Sequence, residues 1–346
     1  MLIGELFETS LSVAVFGAGL LSMTLSFVCG DWLIRWLKSR FTERIDSDSL
    51  RLNELHSAKQ NTPTMGGLLI AGTTVVSILC FADVSTPLVW LFCLTVSAFT
   101  LLGAADDWIK LRTIRKGLTA REKLVFQCLI AFAAAGGMYL FQTDHGHAGR
   151  TMIPWLDRTL DLGWFWIPWA AFVIVGSSNA VNLADGLDGL ASGCTTITSS
   201  AMALVICSGA GAGINAIDNP GPGRAAAAIS CAALAGSTLG FLWWNRYPAR
   251  VFMGDAGSLP IGGLLAIAAL STGSEFMLAI IGAVFVVETV SVVLQVIWYR
   301  RTRRRVLLCS PLHNHFVFRG DSETRIVAAF WLAAMFAALI GLTAAF

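Results

Sequence analysis

The sequence predicts an all-α fold: a polytopic membrane protein with a bundle of about ten transmembrane helices and both termini outside. Hydrophobic residues make up 55% of the 346 residues, and charged residues only 13%, against roughly 25% in soluble domains. The mean hydropathy is +0.69. The apolar residues also form runs close to the length of about 20 residues that a helix needs to cross the hydrocarbon. We therefore expect residues 1–346 to form a single integral membrane domain.

Ten apolar segments are candidate transmembrane spans, and the eighth is the shortest of them. They cover residues 11 to 37, 65 to 83, 87 to 105, 124 to 142, 164 to 182, 190 to 212, 225 to 245, 258 to 273, 275 to 299 and 325 to 346. With ten spans, the two termini are expected on the same side of the membrane.

The distribution of basic residues predicts the orientation of this bundle. The segments after spans 1, 3, 5, 7 and 9 together hold 21 of the 24 Lys and Arg residues. The segments after the even-numbered spans hold only Arg150, Arg158 and Arg224. By the positive-inside rule, both termini face outside and the odd-numbered connections face the cytoplasm. A net charge of +2 is too small to indicate nucleic-acid binding, so membrane lipid is the expected surrounding and nucleic acid is excluded as a partner.

The polar motifs all follow odd-numbered spans. They are HSAKQNTPTMGG, DDWIK through GLTAREK, NAVNLADGLDGLA, NRYPARVFMGDAGS and PLHNHF. Ionisable residues beside hydrocarbon are costly, which makes them candidates for function. The sequence therefore predicts an active site formed by several cytoplasmic loops.

Acidic residues are the first candidates for chemistry. Asp106 and Asp107 are adjacent at a helix end, where their side chains should diverge by about 100°. One could face a metal and the other a second substrate; a pair of solvated acids is the alternative. Asp255 lies in MGDAGS, whose small residues let a phosphate or a metal approach. Because Mg²⁺ prefers one or two carboxylates, waters and phosphate oxygens, Asp255 is the predicted Mg²⁺ ligand. An ordinary turn aspartate is the alternative.

A row of amides and carboxylates recurs every three residues after span 5, at Asn179, Asn182, Asp185 and Asp188. These groups suit sugar hydroxyls, a uracil edge or an outer contact to a metal, whereas polar capping of the span is the alternative. Phe252 could stack on a base or serve as an interfacial anchor.

Basic and histidine residues complete the candidate set. His313 and His315 flank Asn314, and histidine serves as acid, base or phosphate donor near neutral pH. Filling of the loop is the alternative role. Lys59 and Lys123 could pair with phosphates or be ordinary surface lysines. Glu288 falls well inside span 9 and is therefore expected to face the bundle interior.

Six segments together resemble a known family. They are KQNTPTMGG (59–67), DDWIK (106–110), NAVNLADGLDGLA (179–191), NRYPARVFMGDAGS (245–258), VETVSVVLQV (287–296) and PLHNHF (311–316). In this order they resemble the phospho-N-acetylmuramoyl-pentapeptide transferases, within the polyprenyl-phosphate N-acetylhexosamine-1-phosphate transferase superfamily. The resemblance implies transfer of phospho-MurNAc-pentapeptide from UDP-MurNAc-pentapeptide to undecaprenyl phosphate, giving lipid I and UMP for peptidoglycan synthesis. It also implies Mg²⁺ as cofactor and a bacterial inner membrane location; a homodimer is a further expectation.

The resemblance implies a role for each matching residue. Asp255 resembles the metal ligand, and Asp106 resembles the acid that deprotonates or orients the lipid phosphate, with Asp107 beside it. The residues that resemble substrate-binding groups are Asn179, Asn182, Asp185 and Asp188 for the donor, Asn245 and Phe252 for uridine, and Lys59, Lys123, His313 and His315 for phosphate or nearby ligand groups.

Two departures from the family pattern stand out: Asn314 replaces the middle histidine of a triple histidine, and GAADD replaces the more usual G-F-x-D-D entry. The nearest rival is a transferase of GlcNAc-1-phosphate in the same superfamily. A cation-coupled transporter that relays through Asp106, Asp185 and Glu288 is the rival of another class. The location of the acids at one membrane face, with no inverted repeat, argues against that transporter.

Overall fold

The computed structural model describes residues 11–41, 62–113, 117–144, 148–154, 156, 158–209 and 222–343. This part of the chain forms twelve α-helices and one β-hairpin. The helices are α1 (Leu11–Lys38), α2 (Gly67–Phe81), α3 (Pro87–Arg112), α4 (Ala120–Asp144), α5 (Trp166–Ala184), α6 (Leu190–Ser208), α7 (Pro222–Asn245), α8 (Asp255–Ser271), α9 (Glu275–Ile281), α10 (Ala283–Thr302), α11 (Leu312–Arg319) and α12 (Glu323–Thr343). The strands are β1 (Arg150–Ile153) and β2 (Arg158–Asp161).

Eight of the helices in the described ranges are long and apolar enough to cross a membrane. Helices α2 and α8 are shorter apolar helices of 15 and 17 residues. The predicted all-α, polytopic membrane fold is therefore confirmed. The exact number of spans and the side on which the termini lie stay predictions.

The ninth predicted span, residues 275 to 299, is divided into two helices, and the one long enough to cross a membrane is α10 (Ala283–Thr302). Gly282 separates α9 from α10, with φ of −88° and ψ of 21°. Its N–H donates to the carbonyl of Leu278 at 2.8 Å, and a Cβ at this position would lie 2.8 Å from the same oxygen. Because apolar residues continue on both sides of Gly282, the hydropathy pattern shows no break there.

The β-hairpin is a small polar element between α4 and α5. Its two strands pair antiparallel, with Arg150 opposite Asp161 and Ile153 opposite Arg158. The hairpin contacts the turn after α8, where the N–H of Met152 donates to the carbonyl of Gly273 at 3.1 Å. It lies in a connection that the sequence assigns to the outer side.

Helix α8 lies at the centre of the bundle. All residues from Asp255 to Leu270 are buried, and α8 packs against α3, α5 and α7. A helix that is apolar on every side is stable only when protein or lipid surrounds it completely. Small residues let the neighbouring backbones approach: a Cβ at Gly262 would overlap the carbonyl of Ser177 on α5. Since α8 begins at Asp255, this packing holds that carboxylate inside the protein.

Candidate active site

Three carboxylates meet where α3 ends and α8 begins. Asp106 and Asp107 lie near the end of α3, Asp255 is the first residue of α8, and one oxygen of each lies within 4.8 Å of the others. Their exposed fractions are only 2%, 3% and 8%. Close packing of the two helices creates the cluster, because a Cβ at Gly103 would overlap the backbone of Asp255. Buried like charges repel one another strongly, so this cluster requires cations nearby.

Two lysines supply that positive charge. Lys110 Nζ lies 2.7 Å from Asp106 Oδ2, 3.6 Å from Asp107 Oδ1 and 3.0 Å from Asp255 Oδ2. Lys123 Nζ, from the start of α4, lies 2.6 Å from Asp255 Oδ2 and 4.0 Å from Asp106 Oδ2. Lys110 reaches both acids of its own helix because residues three and four apart share a helix face. Two ammonium groups therefore face three carboxyl groups in this cluster.

Asp106 and Asp107 share the cluster but stabilise different elements. Asp107 Oδ1 accepts the N–H of Asp255 at 3.3 Å, and Asp107 Oδ2 accepts the N–H of Ala256 at 3.1 Å. Asp107 thus pairs two backbone N–H groups at the start of α8 that have no partner within the helix. Asp106 Oδ1 accepts the N–H of Leu118, before α4, at 2.7 Å. The two side chains therefore bond to different elements within one cluster, and the division between a metal and a second substrate stays a prediction.

Asn182 connects α5 to the same cluster. Its Nδ2 donates to Asp255 Oδ1 at 2.6 Å and to Ser258 Oγ at 2.8 Å. Asp255 is thus held by an amide on one oxygen and by two ammonium groups on the other. Asn179, one turn earlier on α5, instead pairs with Gln127 of α4 at 2.9 and 3.3 Å.

Residues 63–67 hold the segment that enters α8. The N–H of Phe252 donates to the carbonyl of Pro63 at 2.8 Å, and the N–H of Gly66 donates to the carbonyl of Phe252 at 2.9 Å. These bonds fix the Phe252 backbone and leave its ring half-buried. Lys59, the predicted phosphate contact, lies outside the described residues.

The loop after α5 is stabilised by its own polar residues. Asp185 ends α5, and its N–H donates to the carbonyl of Asn182 at 3.3 Å. Asp188 Oδ2 accepts the N–H of Ala249 at 2.9 Å, and the N–H of Asp188 donates to Glu323 Oε1 at 2.7 Å. Donor binding by Asp185 and Asp188 stays a prediction.

Asn245 joins three segments from a buried position, with 3% of it exposed. Its Oδ1 accepts the Gly189 N–H at 3.1 Å and the Ser192 hydroxyl at 2.9 Å, while its Nδ2 donates to the Val251 carbonyl at 3.0 Å. These contacts give Asn245 a structural role. Uridine binding by Asn245 and by Phe252 stays a prediction.

The two histidines have different surroundings. His313 is buried with Glu288: its Nδ1 lies 3.3 Å from Glu288 Oε1, which also accepts the His313 N–H at 3.1 Å. Glu288 is 0% exposed, which confirms the interior position predicted for it. The Nε2 of His313 faces Gly186, where a Cβ would overlap it. His315 Nδ1 accepts the Leu308 N–H at 3.2 Å, so it stabilises the loop before α11.

Three residues of the site were missed at the level of sequence: Lys110, Gln127 and Ser258. Lys110 carries a readable signal, since it follows both aspartates of DDWIK by three and four positions. Gln127 follows Lys123 by four residues and so shares its helix face, but this spacing alone does not identify the partner on α5. Ser258 is identified as a residue of the site only by its hydrogen bond to Asn182.

Two family models match this chain. Residues 89–273 match the glycosyl transferase family 4 model, which covers all three clustered carboxylates. Residues 59–70 match signature 1 of the phospho-N-acetylmuramoyl-pentapeptide-transferases, which includes the segment paired with the entry to α8.

Three relatives, each named phospho-N-acetylmuramoyl-pentapeptide-transferase, are similar over nearly the whole chain. The protein of Maridesulfovibrio salexigens is 39% identical over 94% of this chain and 90% of its own length. That of Nitratidesulfovibrio vulgaris is 40% identical over 93% and 90% of the two chains. That of Granulibacter bethesdensis is 42% identical over 94% and 92%.

Proposed function

Because the chain belongs to the phospho-N-acetylmuramoyl-pentapeptide-transferase family, we propose that it transfers phospho-MurNAc-pentapeptide from UDP-MurNAc-pentapeptide to undecaprenyl phosphate. An oxygen of the lipid phosphate forms a bond to the phosphorus attached to the sugar. The bond between that phosphorus and the bridging oxygen breaks, and UMP leaves with the electron pair. The products are lipid I and UMP.

The buried cluster of Asp106, Asp107 and Asp255 with Lys110 and Lys123 is the observation that carries this proposal. Phosphoryl transfer depends mainly on positioning and on neutralisation of phosphate charge. Lys123 approaches the cluster from α4 and Lys110 from α3, which supports contact of each ammonium group with a phosphate oxygen near Asp255. In the proposed reaction Asp106 orients or deprotonates the lipid phosphate, while Asp107 holds the start of α8 in position.

The donor set of the cluster fits Mg²⁺. Its ligand atoms are carboxylate oxygens from three residues within 4.8 Å, and hard divalent cations prefer such oxygens. Asp255 would be the main ligand, with Asp106 and Asp107 beside it. When bound there, Mg²⁺ would neutralise charge on the donor diphosphate.

An apolar cavity between α5, α8, α9 and α10 supports a polyprenyl acceptor. Its volume is about 330 Å³, and its lining includes Ala180, Val181, Leu265 and Phe285. Ala180 and Val181 are the lining residues nearest in sequence to Asn182, and the rest of the lining extends along α5 towards Trp169 and to Glu275 of α9. This arrangement suits a lipid whose phosphate lies at the cluster and whose chain lies in the bundle wall.

The apolar helices and the bacterial relatives make this a bacterial membrane protein. We further propose that it lies in the inner membrane as a single domain, with its site on the cytoplasmic face. The excess of Lys and Arg after the odd-numbered spans supports this orientation. A homodimer stays a prediction that mass measurement in detergent would test.

Transfer is tested directly with purified protein, radiolabelled UDP-MurNAc-pentapeptide, undecaprenyl phosphate and Mg²⁺. We expect radiolabelled lipid and UMP in equal amounts, and loss of both when EDTA removes the metal. A parallel assay with UDP-GlcNAc should give no lipid product. Turnover of UDP-GlcNAc alone would overturn the proposal in favour of a GlcNAc-1-phosphate transferase.

A further inference from the structure

A reciprocal pair of side-chain amides joins α4 to α5 one turn away from the carboxylate cluster. Asn179 Nδ2 donates to Gln127 Oε1 at 2.9 Å, and Gln127 Nε2 donates to Asn179 Oδ1 at 3.3 Å. Asn179 Nδ2 also donates to the carbonyl of Val175 at 2.8 Å. Both donors and the acceptor of the Asn179 amide are therefore engaged within the protein.

Gln127 is 1% exposed, so its amide depends on Asn179 for hydrogen bonding in an apolar bundle. A buried amide that loses its partner pays the full cost of desolvation, and such pairs fix one arrangement of the elements that they join. The pair is thus suited to holding α4 and α5 at one separation.

Each member of the pair shares a helix face with a residue that contacts Asp255. On α4, Gln127 follows Lys123 by four residues, and Lys123 Nζ lies 2.6 Å from Asp255 Oδ2. On α5, Asn179 precedes Asn182 by three residues, and Asn182 Nδ2 lies 2.6 Å from Asp255 Oδ1. The two oxygens of Asp255 are therefore held from the two helices that the amide pair connects.

We propose that Gln127 and Asn179 form an amide clamp that positions Lys123 and Asn182 on Asp255, and that Asn179 acts in this way rather than by binding the donor. The inference rests on the proposed transfer function. Gln127 and Asn179 are positioning residues: neither contacts a reacting atom, and each acts through its neighbour one turn away.

The test compares Gln127→Ala, Asn179→Ala, the double variant and the exchange Gln127→Asn/Asn179→Gln in the purified full-length protein. The exchange keeps both amides and the same total number of methylenes across the gap. Gln142→Ala is the matched control, since Gln142 is also a buried glutamine of α4 that bonds to another helix, through the Leu270 carbonyl at 3.2 Å.

We expect both single alanine variants to lose kcat by a similar factor of roughly tenfold, with little change in the KM for UDP-MurNAc-pentapeptide. The double variant should be no slower than either single variant, and the exchange should recover most of the rate. Gln142→Ala should lower thermal stability without lowering kcat. The overturning result is a tenfold or larger rise in donor KM for Asn179→Ala with Gln127→Ala at wild-type values, which would make Asn179 a donor ligand.

A second measurement is independent of turnover and so separates this inference from the proposed function. The Mg²⁺ concentration that gives half-maximal thermal stabilisation should rise severalfold in both single variants and return in the exchange. If the wild type transferred no sugar phosphate, the proposed function would fail, yet this metal titration would still test the clamp. Equal Mg²⁺ midpoints for the wild type and both single variants would contradict it.

Discussion

A carboxylate is buried near each end of α8, but the two carboxylates have different numbers of charged partners. At the start of the helix, Asp255 is held by Lys110, Lys123 and Asn182 from three other helices. Just beyond the other end, Glu275 is also buried, with 4% exposed, and accepts a hydrogen bond from Trp169 Nε1 at 3.1 Å. In the described part of the chain, Glu275 forms no ion pair.

Burial of a carboxylate therefore does not by itself identify an active site. A buried acid with one hydrogen bond is compatible with a structural role. Convergence of several acids with several cations is costly to assemble, and it creates a local field that acts on a phosphate. The end of α8 at Asp255 has that convergence.

The largest effect is expected when the acid at each end of α8 is replaced by its amide. Asp255→Asn should lower kcat by at least about 10³-fold, because a metal-binding charge is lost while the shape is kept. Glu275→Gln should lose less than about tenfold, since its hydrogen bond to Trp169 remains possible. Steady-state rates of lipid formation measure both. Equal losses from the two substitutions would remove the distinction between the ends.

The lysines give the next largest effect. Lys110→Met should slow turnover roughly 10²-fold, because it leaves three buried carboxylates with one ammonium group. Arg112→Met on the same helix is the control, since Arg112 is exposed and lies over the Trp108 ring at 5.3 Å. Its rate should stay close to that of the wild type. A Lys110→Met rate similar to that of Arg112→Met would show that the second cation is dispensable.

The close packing of α3 against α8 beneath the cluster is tested by replacing a glycine with alanine. Gly103→Ala should destabilise the protein by about 1–3 kcal/mol and also slow turnover, because its methyl group overlaps the Asp255 backbone. Gly136→Ala on α4 is the matched change, since nothing lies within 4 Å of its Cβ position. Thermal unfolding in detergent measures both. An unaltered melting temperature for Gly103→Ala would mean that α3 and α8 can move apart without a loss of stability.

The smallest effect is expected at Asn314, where the chain departs from the family pattern. Asn314→His should leave the pH profile of kcat nearly unchanged, whereas His313→Ala should slow the reaction strongly. The reason is that an asparagine amide can donate a hydrogen bond to a ligand or a loop, as a histidine can, if that is all this position requires. A marked gain in rate with a new titration near pH ~6.5 would instead show that a histidine here moves protons.

Much of this organisation could be predicted from the sequence. Apolar runs predicted the membrane helices, though not their exact number, and the motifs made Asp106, Asp107, Asn182, Asp255 and Lys123 candidate site residues. The break at Gly282 was missed because hydropathy is continuous across it. Gln127 was missed because an isolated glutamine in an apolar helix has no periodic signal that identifies its partner.

The membrane fold, the candidate acids and the family follow from composition, spacing and motifs, because these are local properties of the chain. Which polar groups contact one another depends on the tertiary structure. It brought Lys110 among three carboxylates, assigned Asp107 to the start of α8, and paired Asn179 with Gln127 instead of with the cluster. These outcomes depend on how closely α3, α4 and α5 approach α8. That approach follows from small residues and side-chain packing between segments distant in sequence, which no local pattern specifies.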